Sequence, residues 1–223
     1  MIRLERVGKT YGAGAEAVFA VRDVDLSIDR GDRLGLIGPS GSGKTSLLNI
    51  LGCLDRPTSG TVWMEGRNVF AQRDAELTRF RAKSLGFVFQ SFNLFELLSA
   101  RENVEYPLHL LRVPSGERRE RAFEALGWVG LEAKAARRPG QLSAGEKQRV
   151  AIARAMVHRP KLVLADEPTA NLDSDTGARV ISLLCTLNEQ LGATFVIATH
   201  DAALMAQLRR VVSIRDGRLT EGQ

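Results

Sequence analysis

The sequence lacks the features that carry a protein into or across a membrane. No apolar run approaches the roughly 20 residues of a membrane-spanning helix, the nearest being the short LLNILGCL between Leu47 and Leu54. The opening MIRLERVGKT mixes charged and apolar residues, without the apolar segment and cleavage site of a secretion signal. These absences predict a protein that does not itself cross a bilayer and that resides in the cytosol.

Cysteine is also scarce. Cys53 and Cys185 lie far apart in apolar surroundings and lack the paired spacing that a zinc site requires. Because free cysteines are among the most buried residue types, both are expected to be buried, reduced thiols.

The remaining composition is that of a folded domain with a basic surface. Of the 223 residues, 44% are apolar and 26% are charged, a balance that favours one globular domain with a substantial core over disorder. The formal net charge of +5 permits association with nucleotides, nucleic acid or acidic lipid headgroups. It does not choose among these anions, because the basic residues are scattered along the chain as on an ordinary solvated surface.

Short runs of β-branched and apolar residues, bounded by glycine or a charged residue, recur along the chain and predict strands. Helical patterns separate them, and this alternation is typical of an α/β domain with a mostly parallel central sheet. The predicted strands span residues 34–38, 85–90, 162–167, 194–200 and 211–217. The helical patterns are KTSLLNILG, SGERRERAFEALGWVG, AGEKQRVAIARAMVHR, DSDTGARVISLLCTLNEQLG and AALMAQLRR.

Two regions depart from this alternation. The opening third alternates apolar and polar residues over IRLERVGKTY, AVRDVDLSID and GTVWMEGRNV, which predicts a small antiparallel β-region. Residues 91–159 are mainly helical, with Pro107, Pro114 and Pro139 between the patterns. We expect them to form a helical subdomain inserted into the topology of the sheet.

A glycine-rich segment lies between the first apolar strand and a helix. Its residues GPSGSGKT match the phosphate-loop pattern G-x-x-x-x-G-K-[ST] in the strand–loop–helix context that the mechanism requires. Glycines let successive N–H groups point at phosphate oxygens, the lysine approaches the β- and γ-phosphates, and the hydroxyl binds Mg²⁺. The predicted nucleotide-binding residues are Gly38, Pro39, Ser40, Gly41, Ser42, Gly43, Lys44, Thr45 and Ser46, with Thr45 also a Mg²⁺ ligand.

Two adjacent carboxylates end the later apolar run LVLADEP. Asp166, at the end of the predicted strand, is placed to hold the Mg²⁺ shell as in other phosphate-loop enzymes. Glu167 follows where the chain turns, so both side chains can serve one site. We expect Asp166 to bind the metal and Glu167 to activate the attacking water as general base. The alternative is an acidic pair that caps the turn at Pro168.

The segment LSAGEKQR contains a helix-start pattern shortly before that strand. Ser143 and Glu146 have the S-x-x-E spacing of a capping box, in which each side chain binds the other residue's backbone N–H. A helix start also carries free N–H groups and a partial positive charge, which can bind phosphate. The local pattern alone leaves both roles open.

Taken together, these motifs resemble those of the ATP-binding-cassette (ABC) ATPases. GPSGSGKT, LSAGEKQRVAIARA, LVLADEPTANLD and VIATHD, with Gln90 at the end of LGFVFQ, occur in that family's order and approximate spacing over essentially the whole chain. The resemblance implies a RecA-like phosphate-loop core with an N-terminal antiparallel β subdomain. It also implies one domain over residues 1–223: residues 1–90 and 160–223 form the nucleotide-binding core, and residues 91–159 form the helical subdomain with the signature motif.

The resemblance further implies that two copies of the chain enclose two ATP molecules. Ser143, Ala144, Gly145 and Glu146 would then contact the γ-phosphate of an ATP held by the other copy's phosphate loop. Two of these residues differ from the commonest family pattern, LSGGQ. Ala144 replaces a glycine and would be strained if its backbone had to be left-handed, and Glu146 adds a negative charge on the side that faces phosphate.

Four further positions match family motifs one at a time. Tyr11 matches the aromatic residue that stacks on adenine, with a half-buried strand tyrosine as the alternative. Gln90 matches the residue that contacts Mg²⁺ or water and heads a loop toward a membrane partner, with an exposed loop glutamine as the alternative. His200 matches a catalytic histidine that binds the γ-phosphate, and Asp173 matches a loop that crosses the dimer interface.

A transport role requires a separate permease, because the sequence shows no membrane span. Phe92, Leu94 and Phe95 are candidates to line a groove for a cytoplasmic helix of that partner, unless they pack in the core. LGCLDRPTSGTV and ENVEYPL resemble the branch that powers lipoprotein release and macrolide export, which implies a peripheral ATPase at the cytoplasmic face of the membrane and no nucleic-acid partner. The alternatives are the ATPase of a cell-division complex and a soluble or regulatory cassette that does not serve transport.

Overall fold

A computed structural model describes residues 1–221, which form two β-sheets and the helices packed on them. The strands are β1 (Ile2–Tyr11), β2 (Val18–Ile28), β3 (Arg33–Ile37), β4 (Ser59–Met64), β5 (Arg67–Asn68), β6 (Leu85–Val88), β7 (Leu162–Asp166), β8 (Thr194–Ala198), β9 (Arg210–Arg215) and β10 (Arg218–Glu221). The helices are α1 (Lys44–Leu51), α2 (Asp74–Ser84), α3 (Ala100–Leu110), α4 (Ser115–Trp128), α5 (Ala144–Met156), α6 (Ser174–Leu191) and α7 (Ala202–Met205).

The larger sheet forms the centre of the molecule. Its strand order is β10-β9-β3-β8-β7-β6, in which all neighbours run parallel except β10, which pairs antiparallel with β9 at one edge. Alternate residues of β7 face opposite cores: Leu162 and Leu164 pack in one, Val163 and Ala165 in the other. Both faces are covered, which explains the continuous apolar runs. The predicted α/β class with a mostly parallel sheet is confirmed.

The smaller sheet is antiparallel throughout, with the strand order β2-β1-β4-β5, as predicted for the N-terminal region. Its buried residues, such as Leu4 and Val62, share one core with helix α1 and with Leu34 of the central sheet. The segment between β3 and α1, which contains the glycine-rich loop, is therefore held by both sheets.

The helices α3, α4 and α5 pack on one another and on the opposite face of the central sheet. Pro107 lies inside α3 and not between elements as its residue type suggested. Two other helices also differ from the sequence patterns: α2 had no predicted counterpart, and α7 ends at Met205 and does not run through AALMAQLRR. No helix within residues 1–221 has both the length and the apolar character needed to span a bilayer.

The two cysteines are free thiols, Cys53 buried and Cys185 half-buried. Burial raises the pKa of the Cys53 thiol to about 12. Because the thiolate is the reactive form, this shift disfavours reaction of Cys53 at neutral pH. The burial expected for both cysteines is found at Cys53 and is only partial at Cys185.

Candidate functional site

A cavity of about 910 Å³ opens at the carboxyl ends of β3 and β7, the edge at which open α/β sheets bind ligands. Residues that are distant in sequence line it together: the glycine-rich loop, Gln90, Asp166, Glu167 and His200. Ser42 is buried beneath the loop, and the other predicted loop residues line the cavity directly: Gly38, Pro39, Ser40, Gly41, Gly43, Lys44, Thr45 and Ser46.

The curled shape of the loop depends on glycine at two positions. Gly38 and Gly43 have φ angles of +154° and +109°, in the region that side chains with a Cβ rarely adopt. A Cβ on Gly38 would collide with the backbone carbonyl of Ile214, and one on Gly43 with that of Ala20. The loop leads directly into the eight-residue helix α1, and the first N–H groups of a helix have no partner within the helix. Such an arrangement is suited to binding an anion.

The ammonium group of Lys44 lies across this loop. Its Nζ donates to the backbone carbonyls of Gly38 and Pro39, at 2.8 and 3.0 Å. Lys44 is therefore already positioned at the mouth of the N–H array, where it adds a full positive charge to the partial charge of the helix start.

Thr45 and Asp166 meet at the floor of the cavity, where the hydroxyl Oγ1 of Thr45 donates to Oδ2 of Asp166 at 3.0 Å. Burial raises the pKa of the Asp166 carboxyl, an effect that the Thr45 hydrogen bond opposes and the nearby Glu167 carboxylate reinforces. Hydroxyl and carboxylate oxygens are ligands that Mg²⁺ prefers, and Mg²⁺ in phosphate sites is bound by one or two carboxylates plus phosphate oxygens. The donor set therefore fits Mg²⁺ bound jointly with a nucleotide. Across residues 1–221 there is no cluster of three or more His, Cys, Asp or Glu side chains that would bind a metal by itself.

Glu167 and His200 form a pair on the same cavity wall. The Glu167 Oε1 lies 2.9 Å from Nδ1 of His200, and the Glu167 backbone N–H donates to the carbonyl of Ala198 at 2.9 Å. The φ angle of Glu167 is +47°, which is unfavourable for a residue with a Cβ and is often found at functional sites. The carboxylate is thus held in one orientation beside Asp166, as a general base requires.

The end of the cavity nearest β2 is more apolar and was not predicted as a whole. Val18, Phe19 and Arg22 line it, and the guanidinium of Arg22 lies 4.9 Å from the centre of the Phe19 ring. Tyr11 is the β1 residue paired with Val18, but it does not line the cavity, and its hydroxyl donates to Asp55 at 2.8 Å. Val18 and Phe19 are adjacent, exposed apolar residues of β2. This pair is the signal that could have indicated the apolar end of the cavity.

The predicted signature residues lie elsewhere. Ser143 caps α5, with its Oγ accepting from the N–H of Glu146 at 3.3 Å while the Glu146 carboxylate accepts from the N–H of Ser143 at 3.0 Å. Ser143, Gly145 and Glu146 line a separate cleft of about 200 Å³. Ala144 is the first helical residue, and its backbone is not left-handed. The strain that a left-handed backbone would impose on its Cβ is therefore absent. The cleft shares no residue with the phosphate-loop cavity of the same chain.

Asp173 is placed at the start of α6, where its Oδ1 accepts from the N–H of Thr176 at 2.9 Å. This hydrogen bond lowers the pKa of the Asp173 carboxyl. Two nearby contacts were not predicted from the sequence: Asn171 donates to the carbonyl of Gln90 at 2.9 Å, and Thr169 donates to Asp201 at 3.0 Å. These contacts join residues 32 or more positions apart, so no local pattern reveals them.

Comparison with known proteins gives one consistent result. A family model described as ABC transporter matches residues 21–170. MJ0796 of Methanocaldococcus jannaschii, an ABC transporter ATP-binding protein, is 47% identical over 221 residues, covering 97% of this chain and 94% of that protein. A solved structure described as a dimeric, post-hydrolysis state of the ATP-binding cassette MJ0796 bound to ADP and Pi has a TM-score of 0.91 and 44% identity, and covers 100% of this chain and 98% of the other.

Relatives with named transport systems are similar too. The lipoprotein-releasing system ATP-binding protein LolD of Syntrophotalea carbinolica is 46% identical, covering 99% of this chain and 97% of that protein. The macrolide export ATP-binding/permease protein MacB of Burkholderia pseudomallei is 45% identical over 98% of this chain, which spans 33% of that longer protein.

The position of Lys44 generates a first prediction. Lys44→Ala would remove the two charge-assisted contacts expected to the β- and γ-phosphates, each worth about 1.5–3 kcal/mol, so ATP hydrolysis is expected to fall at least about 100-fold. Phosphate release measured with saturating MgATP checks this, with the exposed Lys83→Ala as the matched control. Undiminished hydrolysis by Lys44→Ala would contradict the assignment of the cavity.

Proposed function

Because this chain belongs to the ABC transporter family, we propose that it hydrolyses MgATP as one half of a head-to-tail dimer and so drives a separate permease of the lipoprotein-release or macrolide-export type. The chain is an ABC cassette ATPase. The observation that carries the proposal is the convergence of the glycine-rich loop, Thr45 with Asp166, and Glu167 with His200 on one cavity.

In the proposed reaction the N–H groups of the loop and the Lys44 ammonium hold the β- and γ-phosphates of ATP in a fixed position. Mg²⁺ bound at Thr45, Asp166 and Gln90 would supply positive charge to the phosphate oxygens. Glu167 accepts the proton of the attacking water, a role worth roughly 10²- to 10⁴-fold in rate. His200 orients the Glu167 carboxylate through Nδ1, and its exposed side chain remains able to approach the γ-phosphate.

The proposed dimer follows from the separation of the two anion-binding features. The cleft at the start of α5 and the phosphate-loop cavity do not meet within one chain. A second copy placed head to tail brings the start of its α5 to the γ-phosphate, and Asp173 to the interface between the copies. The dimeric ADP- and Pi-bound structure of MJ0796 supports this assembly.

Tyr11 and Phe19 are proposed to hold the adenine. Stacking of a base on an aromatic side chain is typically worth about 1–3 kcal/mol. Phe19 lines the cavity, whereas Tyr11 lies beside it on the neighbouring strand.

The Glu167 arrangement generates a second prediction. Glu167→Gln keeps the hydrogen-bonding shape but cannot accept the proton of water, so hydrolysis should fall at least about 100-fold while ATP binding persists. MgATP should therefore trap a stable dimer, which size-exclusion chromatography detects. Wild-type hydrolysis per chain should rise with protein concentration, because the active species is the dimer.

The double variant Lys44→Ala/Glu167→Gln provides the control, since it should remain monomeric with MgATP. A Glu167→Gln chain that stays monomeric at all MgATP concentrations would rule out the sandwich dimer. Hydrolysis strictly proportional to protein concentration would do the same, provided that the protein is monomeric in the absence of nucleotide.

A second, apolar groove supports docking of a membrane partner. It has a volume of about 410 Å³ and is bordered by α2, α3 and β6. Four of its lining residues are large hydrophobic side chains left exposed to solvent: Leu54, Phe95, Tyr106 and Leu110. Exposed apolar patches of this kind mark interaction sites, and a short amphipathic helix fits such a groove.

Of the three residues expected at this groove, the structure places only Phe95 in its lining. Leu94 packs against the core, and Phe92 is half-buried with φ +59°. Buried Asn103 fixes Phe95 from below: its Oδ1 accepts from the Phe95 N–H at 2.8 Å and its Nδ2 donates to the Phe95 carbonyl at 3.1 Å. The groove is therefore preformed although its lining includes irregular chain.

The groove also contains the guanidinium of Arg154, which donates to the carbonyls of Phe92 and Asn93. Burial lowers the pKa of Arg154 to about 10, so the group remains charged at neutral pH. None of the ion pairs within residues 1–221 includes Arg154. A docking helix that combines apolar residues with an acidic group or a free carbonyl end fits this surface.

The proposed branch and location rest on these relatives and on this groove. LolD and MacB are components of lipoprotein-release and macrolide-export systems by their descriptions. We place this chain at the cytoplasmic face of the membrane, attached through the permease that occupies the groove.

The groove generates a third prediction. Leu110→Lys puts a second positive charge into the groove that already contains Arg154, which costs about 2–5 kcal/mol for a buried unpaired charge at an interface, so recovery of the chain with its co-expressed permease should fall at least about tenfold. Phe123→Lys is the matched control, because Phe123 is similarly exposed (50% against 57%) but lies outside the groove. Equal recovery of the two variants would place the docking site elsewhere.

A further inference from the structure

Glu146 is held by a residue that the signature segment does not contain. One carboxylate oxygen, Oε2, accepts from the N–H of Ser143, and the other, Oε1, accepts from the ammonium group of Lys134. Lys134 ends a short 3₁₀ turn, Glu132–Lys134, that follows the buried Leu131. The ion pair therefore joins the start of α5 to a chain segment 12 positions earlier.

The proposed function gives this ion pair a consequence. If the start of α5 faces the γ-phosphate held by a second copy, a carboxylate on the third residue of α5 is a like charge beside the ligand. The hydrogen bond from Lys134 is the largest cause that lowers the pKa of Glu146, so the residue is ionised throughout the neutral range. Its negative charge has to be compensated for a phosphate to approach.

The geometry of the pair supplies that compensation. Glu146 lines the cleft at the start of α5, whereas its partner Lys134 does not. Both carboxylate oxygens are engaged, one by Lys134 and one by the capping box. The N–H groups of Ala144 and Gly145 precede the first intrahelical hydrogen bond, from Lys147 to the carbonyl of Ser143, and remain available to a ligand.

The other charges around the cleft have the opposite sign. Arg149 and Arg179 line it together with Glu146. Glu146 is thus the acidic member of an otherwise cationic lining, and its side chain is only 15% exposed while that of Lys134 is 46% exposed. The net charge of the cleft lining, and so its attraction for a phosphate, depends on whether Glu146 is neutralised.

We propose that Lys134 is a positioning residue for the nucleotide clamped between two copies: it neutralises Glu146 and turns that carboxylate away from the γ-phosphate. This inference rests on the proposed head-to-tail dimer. It explains how the chain retains a working signature helix with glutamate in place of the glutamine of the commonest pattern. It also assigns a role to a lysine that lies outside every motif in the sequence.

A double-mutant cycle in the Glu167→Gln background tests the proposal. The dissociation constant of the MgATP-bound dimer is measured by analytical ultracentrifugation for Lys134→Gln, Glu146→Gln and the double variant. In the chain with Glu146, Lys134→Gln should weaken the dimer about tenfold, because an uncompensated carboxylate then opposes the phosphate. In the Glu146→Gln background the same change should have less than about a twofold effect, because the charge to be neutralised is gone.

Two further readouts separate positioning from a general structural role. Lys134→Arg should retain most of the dimer affinity, since it keeps the charge. Binding of a fluorescent ATP analogue to the monomer at low protein concentration should be the same with Lys134→Gln, because Lys134 does not line the chain's own phosphate-loop cavity. The loss of dimer affinity should also shrink as salt concentration rises.

The outcomes discriminate among the possibilities. No weakening by Lys134→Gln, or an equal weakening in both backgrounds, overturns the neutralising role while the dimer itself stands. The second of these results would mean that Lys134 acts only through folding of the 3₁₀ turn. If the Glu167→Gln chain with Lys134 and Glu146 intact forms no MgATP dimer, the proposed function fails and this inference fails with it.

Discussion

The curled backbone of the glycine-rich loop is the feature on which the proposed phosphate site depends. The chain between β3 and α1 curls through conformations that exclude a Cβ, at Gly38 and Gly43. The carbonyls that pack against these glycines belong to Ala20 of β2 and Ile214 of β9, one from each sheet. The loop therefore requires both sheets to be folded and in contact, and the antiparallel region is a structural part of the phosphate site.

A second helix start with free backbone N–H groups lies at the beginning of α5, at a different place on the surface. In the proposed function one chain thus carries two helix starts that bind phosphate at different places, since the cleft and the cavity share no residue. A triphosphate has enough charge for both. The proposed head-to-tail association of two copies would satisfy both helix starts, and nucleotide occupancy and assembly would then be one equilibrium.

The sequence was most informative where chemistry constrains a short segment. The glycine spacing of 38–45 and the carboxylates after LVLA could be assigned roles before any contact was known, because phosphate and metal binding require those groups in that order. Helix α2 could not be predicted, since it buries only Leu77 and Ser84 and has almost no apolar periodicity. The apolar end of the cavity and the Lys134–Glu146 pair also escaped prediction, because each depends on tertiary contacts between elements.

The segment from Phe89 to Phe95 connects the phosphate-loop cavity with the apolar groove. Gln90 lines the cavity, while Phe89 and Phe95 line the apolar groove. The segment is fixed through carbonyl groups, by Asn171 at Gln90 and by Arg154 at the two following residues with left-handed backbone, Phe92 and Asn93. Such backbone is costly and persists only while its contacts hold. In the proposed function, a shift of Gln90 on nucleotide binding or hydrolysis would be passed along this segment to the lining of the groove, and a docked helix would respond to it.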